Sequence, residues 1–208
     1  MLRAKHITTT LPGAEFVVTG DLSDLNDTLL LAEKINRLGA FDAIIHNAGV
    51  YKASNNETFM VNSLAPYILT CLINKPRRLI YLSSGLHTEG DPYKDYSDYK
   101  SGNFYYADTK LHIVMLAKAV SRKWPDVFAN AVNPGWVPTK MGGIWAPDNL
   151  NKGAETQAWL AVSNDSEALV SGKYFFHKQQ RPSLPAADNI TFQENYLEIC
   201  YKICGLTL

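Results

Sequence analysis

Tyr106 and Lys110 are the residues whose types and spacing point most directly to chemistry. They lie four apart at the start of a predicted helix, so their side chains share one face, one turn from each other. A fixed ammonium beside a phenol favours the phenolate and lowers the pKa of the tyrosine, which allows proton transfer nearer neutral pH. The same spacing also occurs where a half-buried ring lies beside a solvated lysine and neither has a catalytic role. The surrounding motifs must therefore decide between a catalytic pair and a structural one.

Short apolar runs alternate with amphipathic segments along the chain. The apolar runs predict strands over residues 15–19, 41–46, 78–82, 127–132 and 172–176. The amphipathic segments predict helices over residues 23–38, 56–73, 106–123, 151–162 and 192–204. Short strands that are apolar throughout and alternate with helices predict an α/β fold with a parallel sheet and helices on both of its faces.

Polar and glycine-containing motifs stand directly after these predicted strands. They are Asp21–Leu22, Asn47–Ala48–Gly49, Ser83–Ser84 and Pro134–Gly135. The carboxyl ends of parallel strands meet at one edge of the sheet, and the ligands of such sheets bind there. We therefore expect these motifs to form one site.

The order of the motifs resembles that of the short-chain dehydrogenase/reductase family over nearly the whole chain. Asn47–Ala48–Gly49 resembles the family's Asn-Ala-Gly strand end, and Asn62 stands where its helix asparagine should be. Ser84 follows the central strand, and Tyr106 and Lys110 follow Ser84. The resemblance implies a Rossmann-like fold and an oxidoreductase that interconverts an alcohol and a ketone or aldehyde with NAD or NADP.

The resemblance also implies a role for each of four residues. Tyr106 would pass a proton to or from the substrate oxygen, and Lys110 would hold that phenol near its anionic form and bond the nicotinamide ribose. Ser84 would orient the substrate carbonyl and stabilise the charge on its oxygen. We favour Ser84 over Ser83 because the family's serine is usually the second of such a pair. Asn62 would anchor a water that links Lys110 to solvent.

A larger set of residues is implied to contact the cofactor. Its members are Asp21, Leu22, Asn47, Ala48, Gly49, Tyr106, Lys110, Pro134, Gly135, Val137 and Thr139. Asp21 and Leu22 resemble the pair that holds the adenine ring, and Thr139 would bond the nicotinamide carboxamide or a phosphate. Three of the implied site residues also have a plainer interpretation: Asp21 as a helix cap, Asn62 as a solvated helix residue and Thr139 as a surface hydroxyl.

The chain departs from the family near its start, where the glycine-rich turn that places a pyrophosphate on a helix N-terminus is missing. Thr19–Gly20 resembles the first residues of that turn, but Asp24 and Asn26 occupy its two later glycine positions. The segment instead resembles the family's third strand. The first two strands and the first helix are therefore expected to be missing.

This departure would leave a gap of about 14 Å, three strand spacings, between the strands at 15–19 and 41–46. Three arrangements are open: the true gene product begins upstream of Met1, the strand at 15–19 moves over to pair with 41–46, or a partner chain fills the gap. Open strand edges would invite such pairing. In the last two arrangements, cofactor binding would be weak or lost.

A second departure is the long segment over residues 85–105, between the serine and the tyrosine. It is expected to form a lid or a shaped pocket for bulky apolar alcohols and ketones, or else to be a surface insertion. His46 and His87 also suggest a hydrolase with Ser84 as its nucleophile. However, Leu82 stands where the nucleophile elbow requires its first glycine.

Composition narrows the classes of partner. The chain has 208 residues and a net charge of zero, which suits one domain over residues 1–208 and favours neither nucleic acid nor an anionic membrane. No apolar run reaches the ~18 residues of a membrane span, and the residues after Met1 lack an apolar signal core. The three cysteines have no metal-ligand spacing, so a reduced, cytoplasmic protein without a metal site is expected.

Two functions remain open from the sequence. The first is an NAD(P)-dependent oxidoreductase that acts on a small alcohol or carbonyl compound and, as the resemblance implies, can form homo-oligomers. The second is a non-catalytic relative that keeps Asn62, Ser84, Tyr106 and Lys110 by descent but no longer binds the dinucleotide.

Overall fold

The structure is a computed structural model that describes residues 13–94 and 104–208. Its helices are α1 (Leu25–Asn36), α2 (the joined segments Asn55–Phe59, Met60–Leu64 and Ala65–Leu72), α3 (Tyr106–Lys123), α4 (Leu150–Val162) and α5 (Ile190–Cys204). Its strands are β1 (Ala43–His46), β2 (Arg78–Leu82), β3 (Phe128–Asn133), β4 (Tyr174–Phe176) and β5 (Gln179–Arg181). Short 3-10 turns cover Gly85–Glu89 and Pro185–Asp188. Of the helices described here, none is long and apolar enough to cross a bilayer.

The strands form one sheet in the order β1-β2-β3-β4-β5. Strands β1 to β4 run parallel, and β5 returns antiparallel to β4. The reversal uses His177 and Lys178, whose φ angles of 48° and 61° suit a tight hairpin turn between twisted strands. The mostly parallel sheet is confirmed, whereas the sequence pattern does not predict the β5 hairpin.

The strand predicted over residues 15–19 is absent, so this prediction is wrong. The segment is irregular and lies against α1: Lys34 donates a hydrogen bond to the Thr19 carbonyl (3.2 Å), and a Cβ at Gly20 would lie 3.0 Å from Leu31. A strand needs a neighbour that satisfies its backbone groups, and among the described strands β1 pairs only with β2. The arrangement in which this segment moves over to pair with β1 is therefore also wrong.

Strand β2 is buried along its whole length, and its alternate side chains face opposite layers. Leu79 and Tyr81 pack into the larger core with side chains of α2, α3 and α5. Ile80 and Leu82 pack on the other face with Leu160 of α4. Helices thus cover both faces of the sheet, as predicted, and α3 is packed against β2 and β3 with its first turns beside the carboxyl end of β2.

Candidate functional site

Asn62 lies in a π-helical turn, Met60–Leu64, in the middle of α2. π-Helical turns are rare in proteins, and many of those that occur lie at functional sites. The Asn62 side chain is buried: its amide oxygen accepts a hydrogen bond from Val50 N (2.7 Å), and its amide nitrogen donates to Val50 O (2.8 Å) and Thr109 Oγ1 (3.2 Å). Asn62 therefore ties the loop after β1 to the first turn of α3, and its interpretation as a solvated residue is wrong.

Lys110 is buried one turn into α3. Its Nζ donates a hydrogen bond to the carbonyl of Leu82, the last residue of β2 (2.8 Å), and lies 5.3 Å from the centre of the Tyr106 ring. Burial lowers the pKa of Lys110 to about 8. The strand end thus holds an amine that releases its proton far more readily than an exposed lysine does.

Tyr106 opens α3 and shares with Lys110 the helix face that the spacing predicts. Its pKa is nevertheless raised: burial has the largest effect, a hydrogen bond with Ser84 opposes it, and Tyr51 adds to the rise. The expected lowering is therefore wrong for the protein alone. The physical reason is that the phenol loses more hydration than its neighbours replace, while the Lys110 ammonium is bonded to the Leu82 carbonyl.

The two serines after β2 have different surroundings. Ser83 is buried and donates a hydrogen bond to the Lys110 carbonyl (2.8 Å), so it fastens α3 to the strand end. Ser84 is half-buried, and its Oγ accepts a hydrogen bond from Leu86 N (3.2 Å). Its hydroxyl is also near enough to Tyr106 to lower the pKa of that phenol. Ser84 is thus the serine that faces the phenol.

Met141 lies directly in front of the Tyr106 hydroxyl. That hydroxyl donates a long hydrogen bond to Met141 Sδ (3.9 Å), and Met141 Cε would lie 3.9 Å from a Cβ built at Gly49. The Tyr51 ring meets the Tyr106 ring edge-on, with 4.9 Å between their centres. A substrate oxygen that bonds the phenol would therefore have to displace the Met141 thioether.

Asn47–Ala48–Gly49 follows β1 and lies beside the same side chains. A Cβ at Gly49 would lie 3.4 Å from Asn62 Oδ1 and 3.5 Å from Lys110 Nζ, so the backbone of Gly49 passes directly beside these two side chains. Asn47 and Ala48 line a cavity of about 190 Å³ together with Leu22, between α1, β1 and α2.

Pro134–Gly135 follows β3 and begins an ordered loop that leads to α4. Gly135 has a φ of +86°, and a Cβ there would lie 2.6 Å from the Asp148 carboxylate. Val137 packs so closely on Gly153 of α4 that a Cβ at Gly153 would lie 2.6 Å from it. Thr139 is exposed, so its contact with a cofactor remains a prediction.

Asp21 and Leu22 stand just before α1. The Asp21 carboxylate accepts hydrogen bonds from Ser23 N (2.9 Å) and Ser23 Oγ (2.7 Å), and the residue that caps α1 is Asp24. The interpretation of Asp21 as the helix cap is therefore wrong. Contact of Asp21 and Leu22 with an adenine ring remains a prediction.

The two ends of a nicotinamide dinucleotide would meet different surroundings. Beside Gly49, the Lys110 amine is a donor suited to a ribose hydroxyl, although the Met141 side chain lies against the same glycine. The N-terminus of α1 does not fit a pyrophosphate, because carboxylates already occupy it: Asp24 accepts from Asp27 N (2.8 Å), and Asp27 accepts from Asp21 N (2.5 Å). The part of the chain that the structure describes contains no glycine-rich turn at a helix N-terminus.

Neither of the two histidines that suggest a hydrolase contacts the Ser84 hydroxyl. His87 Nδ1 bonds the Ser84 backbone carbonyl (2.8 Å), and His46 stacks on Tyr81 with its Nε2 3.5 Å from Thr70 Oγ1. A serine nucleophile needs a base on its hydroxyl. The geometry therefore gives the hydrolase interpretation no support.

Sequence reasoning missed a clamp on the first turn of α3. The buried Asp108 carboxylate accepts hydrogen bonds from Asp91 N (2.9 Å), Tyr105 N (2.9 Å) and Lys94 Nζ (2.5 Å). The sequence does show an acidic residue, Asp108, in the first turn of the predicted helix, which is a capping signal. It does not show that Asp91 and Lys94 contact this residue. Of the predicted lid over 85–105, the structure describes residues 85–94 and 104–105, and residues 95–103 lie outside the described residues.

Comparison with known proteins decides the family. No family model matches the sequence. The chain is 42% identical to the oxidoreductase AN7799 of Emericella nidulans, over 98% of this chain and 84% of that protein. It is 36% identical to the short-chain dehydrogenase chyC of Penicillium rubens, over 99% of this chain and 85% of that protein. The chain belongs to the short-chain dehydrogenase/reductase family.

Solved structures agree with this assignment at the level of the fold. The NADPH-bound carbonyl reductase from chicken fatty liver aligns with a TM-score of 0.64 and 18% identity, over 88% of this chain and 82% of that chain. The mostly parallel sheet and the helices on its two faces are therefore the Rossmann-like architecture of a short-chain dehydrogenase/reductase.

Proposed function

We propose that this short-chain dehydrogenase/reductase uses NAD or NADP to interconvert an alcohol and a ketone or aldehyde. The observation that carries the proposal is the meeting of three side chains beside one strand end: Ser84 lies near enough to Tyr106 to lower the pKa of its phenol, and Lys110 Nζ lies 5.3 Å from the centre of the Tyr106 ring. The names of the two relatives, a dehydrogenase and an oxidoreductase, support the same reaction class.

In the reducing direction, Tyr106 donates its phenolic proton to the substrate oxygen, which takes the place of the Met141 sulfur. Because burial raises its pKa, Tyr106 carries this proton at neutral pH. The Ser84 hydroxyl donates to the same oxygen and stabilises the negative charge that develops there. A bound nicotinamide supplies the hydride.

Lys110 and Asn62 restore the proton to Tyr106 in this proposal. With a pKa of about 8, Lys110 releases and regains a proton near neutral pH. Asn62 holds the Val50 backbone and Thr109 around the lysine, and we assign to it the water that connects Lys110 to solvent. The remaining cofactor contacts at Asp21, Leu22, Val137 and Thr139 stay part of the proposal.

A second candidate function is a non-catalytic relative that does not bind the dinucleotide. The lack of a glycine-rich turn at a helix N-terminus, within the residues that the structure describes, favours it, because that turn would hold the pyrophosphate. Titrating NADH and NADPH against the intrinsic fluorescence separates the two. Absence of binding at about millimolar cofactor, the upper end of ordinary KM values, would leave the non-catalytic function.

Replacement of Tyr106 tests the proposed reaction. We expect the wild-type protein to consume NADPH or NADH with apolar ketones, and Tyr106→Phe to lose at least about 100-fold in kcat because the acid is gone. Tyr105→Phe is the matched control, since it removes an exposed phenolic hydroxyl from the adjacent residue and should leave kcat unchanged. Wild-type turnover by Tyr106→Phe would refute Tyr106 as the acid.

A further inference from the structure

The backbone carbonyl of Ser84 accepts two hydrogen bonds from buried side chains. His87 Nδ1 lies 2.8 Å from this oxygen, and the Tyr174 hydroxyl lies 3.1 Å from it. The two rings also contact each other, with 4.4 Å between their centres. The end of β2 is thus held by a 3-10 turn and by β4 at Ser84, whose hydroxyl faces Tyr106.

The hydrogen bonds of His87 fix its protonation. A carbonyl oxygen can only accept, so His87 Nδ1 must carry the hydrogen that Ser84 O receives. The opposite nitrogen, Nε2, accepts a hydrogen bond from Leu184 N (3.1 Å), so it must be unprotonated. Burial lowers the pKa of His87, which agrees with this neutral form. The imidazole therefore links the segment after β5 to Ser84 in one defined orientation.

The hydroxyl of Ser84 depends on how its backbone is held, because one hydrogen bond joins that hydroxyl to its own turn. Ser84 stands at the N-terminus of a 3-10 turn of five residues, and its Oγ is joined to that turn by one hydrogen bond from Leu86 N (3.2 Å). A hydroxyl that stabilises charge must be held to within about 0.5 Å. Together with the His87 backbone N–H, which also donates to the Ser84 carbonyl (3.2 Å), the two side-chain bonds restrain the backbone from which that hydroxyl projects.

We propose that Tyr174 and His87 are positioning residues that hold Ser84 against Tyr106. The inference rests on the proposed function, because it gives these residues a purpose only if Ser84 contacts the substrate. Neither Tyr174 nor His87 touches the substrate in this account. They act through the Ser84 backbone.

Tyr174→Phe tests the proposal, because it removes one hydroxyl and keeps the ring. We expect kcat to fall about tenfold, less than the roughly 100-fold that a 1 Å displacement costs, with KM within about twofold of wild type. Tyr67→Phe is the matched control: it removes another buried hydroxyl that donates to a backbone carbonyl, that of Leu206 (2.5 Å). An equal fall of kcat in both variants would overturn the proposal.

A pair of His87 variants separates positioning from a merely structural role. Asparagine places an amide N–H near the position of His87 Nδ1, so His87→Asn should keep kcat within about threefold, whereas His87→Leu should lose about tenfold. Equal kcat values for the two variants would overturn the proposal for His87, and this comparison remains decisive if Tyr174→Phe does not fold.

A crystal structure of Tyr174→Phe distinguishes failure of this inference from failure of the proposed function. We expect Ser84 Oγ to shift from Tyr106 by about 0.5 Å or more. If the wild-type protein shows no turnover, the proposed function fails, but a shifted Ser84 still supports the positioning role. An unshifted Ser84 overturns that role whatever the activity is.

Discussion

Burial acts in opposite directions on the two titratable residues that the spacing brings together. It raises the pKa of Tyr106 and lowers the pKa of Lys110 to about 8, because each side chain loses hydration that favours its charged form. The helical spacing correctly predicts that the two share a face. It does not predict the sign of the Tyr106 shift, because burial depends on elements far away in the sequence.

The lowered pKa of Lys110 predicts a pH dependence of stability. The unfolded lysine keeps its proton up to pH 10.5, whereas the folded one loses it from about pH 8, so the unfolded state binds more protons in between and stability rises with pH. Between pH 7 and 9, wild type should gain about 1.4 kcal/mol of unfolding free energy relative to Lys110→Met. Urea denaturation across this range measures the difference.

Wild type and Lys110→Met share every other group that titrates between pH 7 and 9. The difference between their free energies of unfolding therefore reports the titration of Lys110. Lys140→Met, which removes an exposed lysine, is the control and should parallel wild type at every pH. Parallel curves for wild type and Lys110→Met would contradict the buried, proton-releasing lysine.

At the scale of elements, the first turn of α3 is the part that must be held in place. Residues 90–94 pack against this first turn. A Cβ at Gly90 would lie 2.8 Å from Ala107 O, and the Asp108 carboxylate accepts hydrogen bonds from Asp91 N and Lys94 Nζ. The Lys94 and Asp108 side chains are only 15% and 3% exposed. The clamp therefore fixes the helix start that carries Tyr106.

Lys94→Met is predicted to destabilise the protein strongly, because it leaves the buried Asp108 carboxylate without its counter-ion. The free energy of unfolding should fall by about 3 kcal/mol, the lower end of the cost of breaking a buried pair. Lys75→Met breaks the ion pair between Lys75 and Asp126, whose side chains are 46% and 67% exposed, and should lower the free energy of unfolding far less. Equal losses in urea denaturation would contradict the clamp.

The same elements show what local sequence can predict. The helix at 106–123 and the strand at 78–82 have the predicted bounds, because their apolar patterns agree with the buried faces they form. The segment at 15–19 also has an apolar centre, Phe16–Val17–Val18, but no neighbouring strand to pair with. The π-helical turn at Asn62 and the β5 hairpin depend on tertiary contacts, which local patterns do not contain.

At the scale of the whole molecule, topology brings distant motifs to one edge. The order β1-β2-β3-β4 places Asn47–Ala48–Gly49, Ser84 and Pro134–Gly135 after neighbouring parallel strands. This grouping follows from the sequence, because strands that alternate with helices run parallel. The position of Met141 in front of Tyr106 and the support of Ser84 by Tyr174 do not follow from the sequence, because they depend on a loop and on β4.

The central claim is that Tyr106, Ser84 and Lys110 direct a hydride to a substrate carbonyl. The most direct measurement follows deuterium from NADPH or NADH that carries deuterium in both hydrogen positions at the nicotinamide C4, with mass spectrometry of the alcohol product. The account predicts deuterium on the carbinol carbon with wild-type protein and loss of labelled product with Tyr106→Phe. An unlabelled alcohol, or equal labelling by the variant, would contradict it.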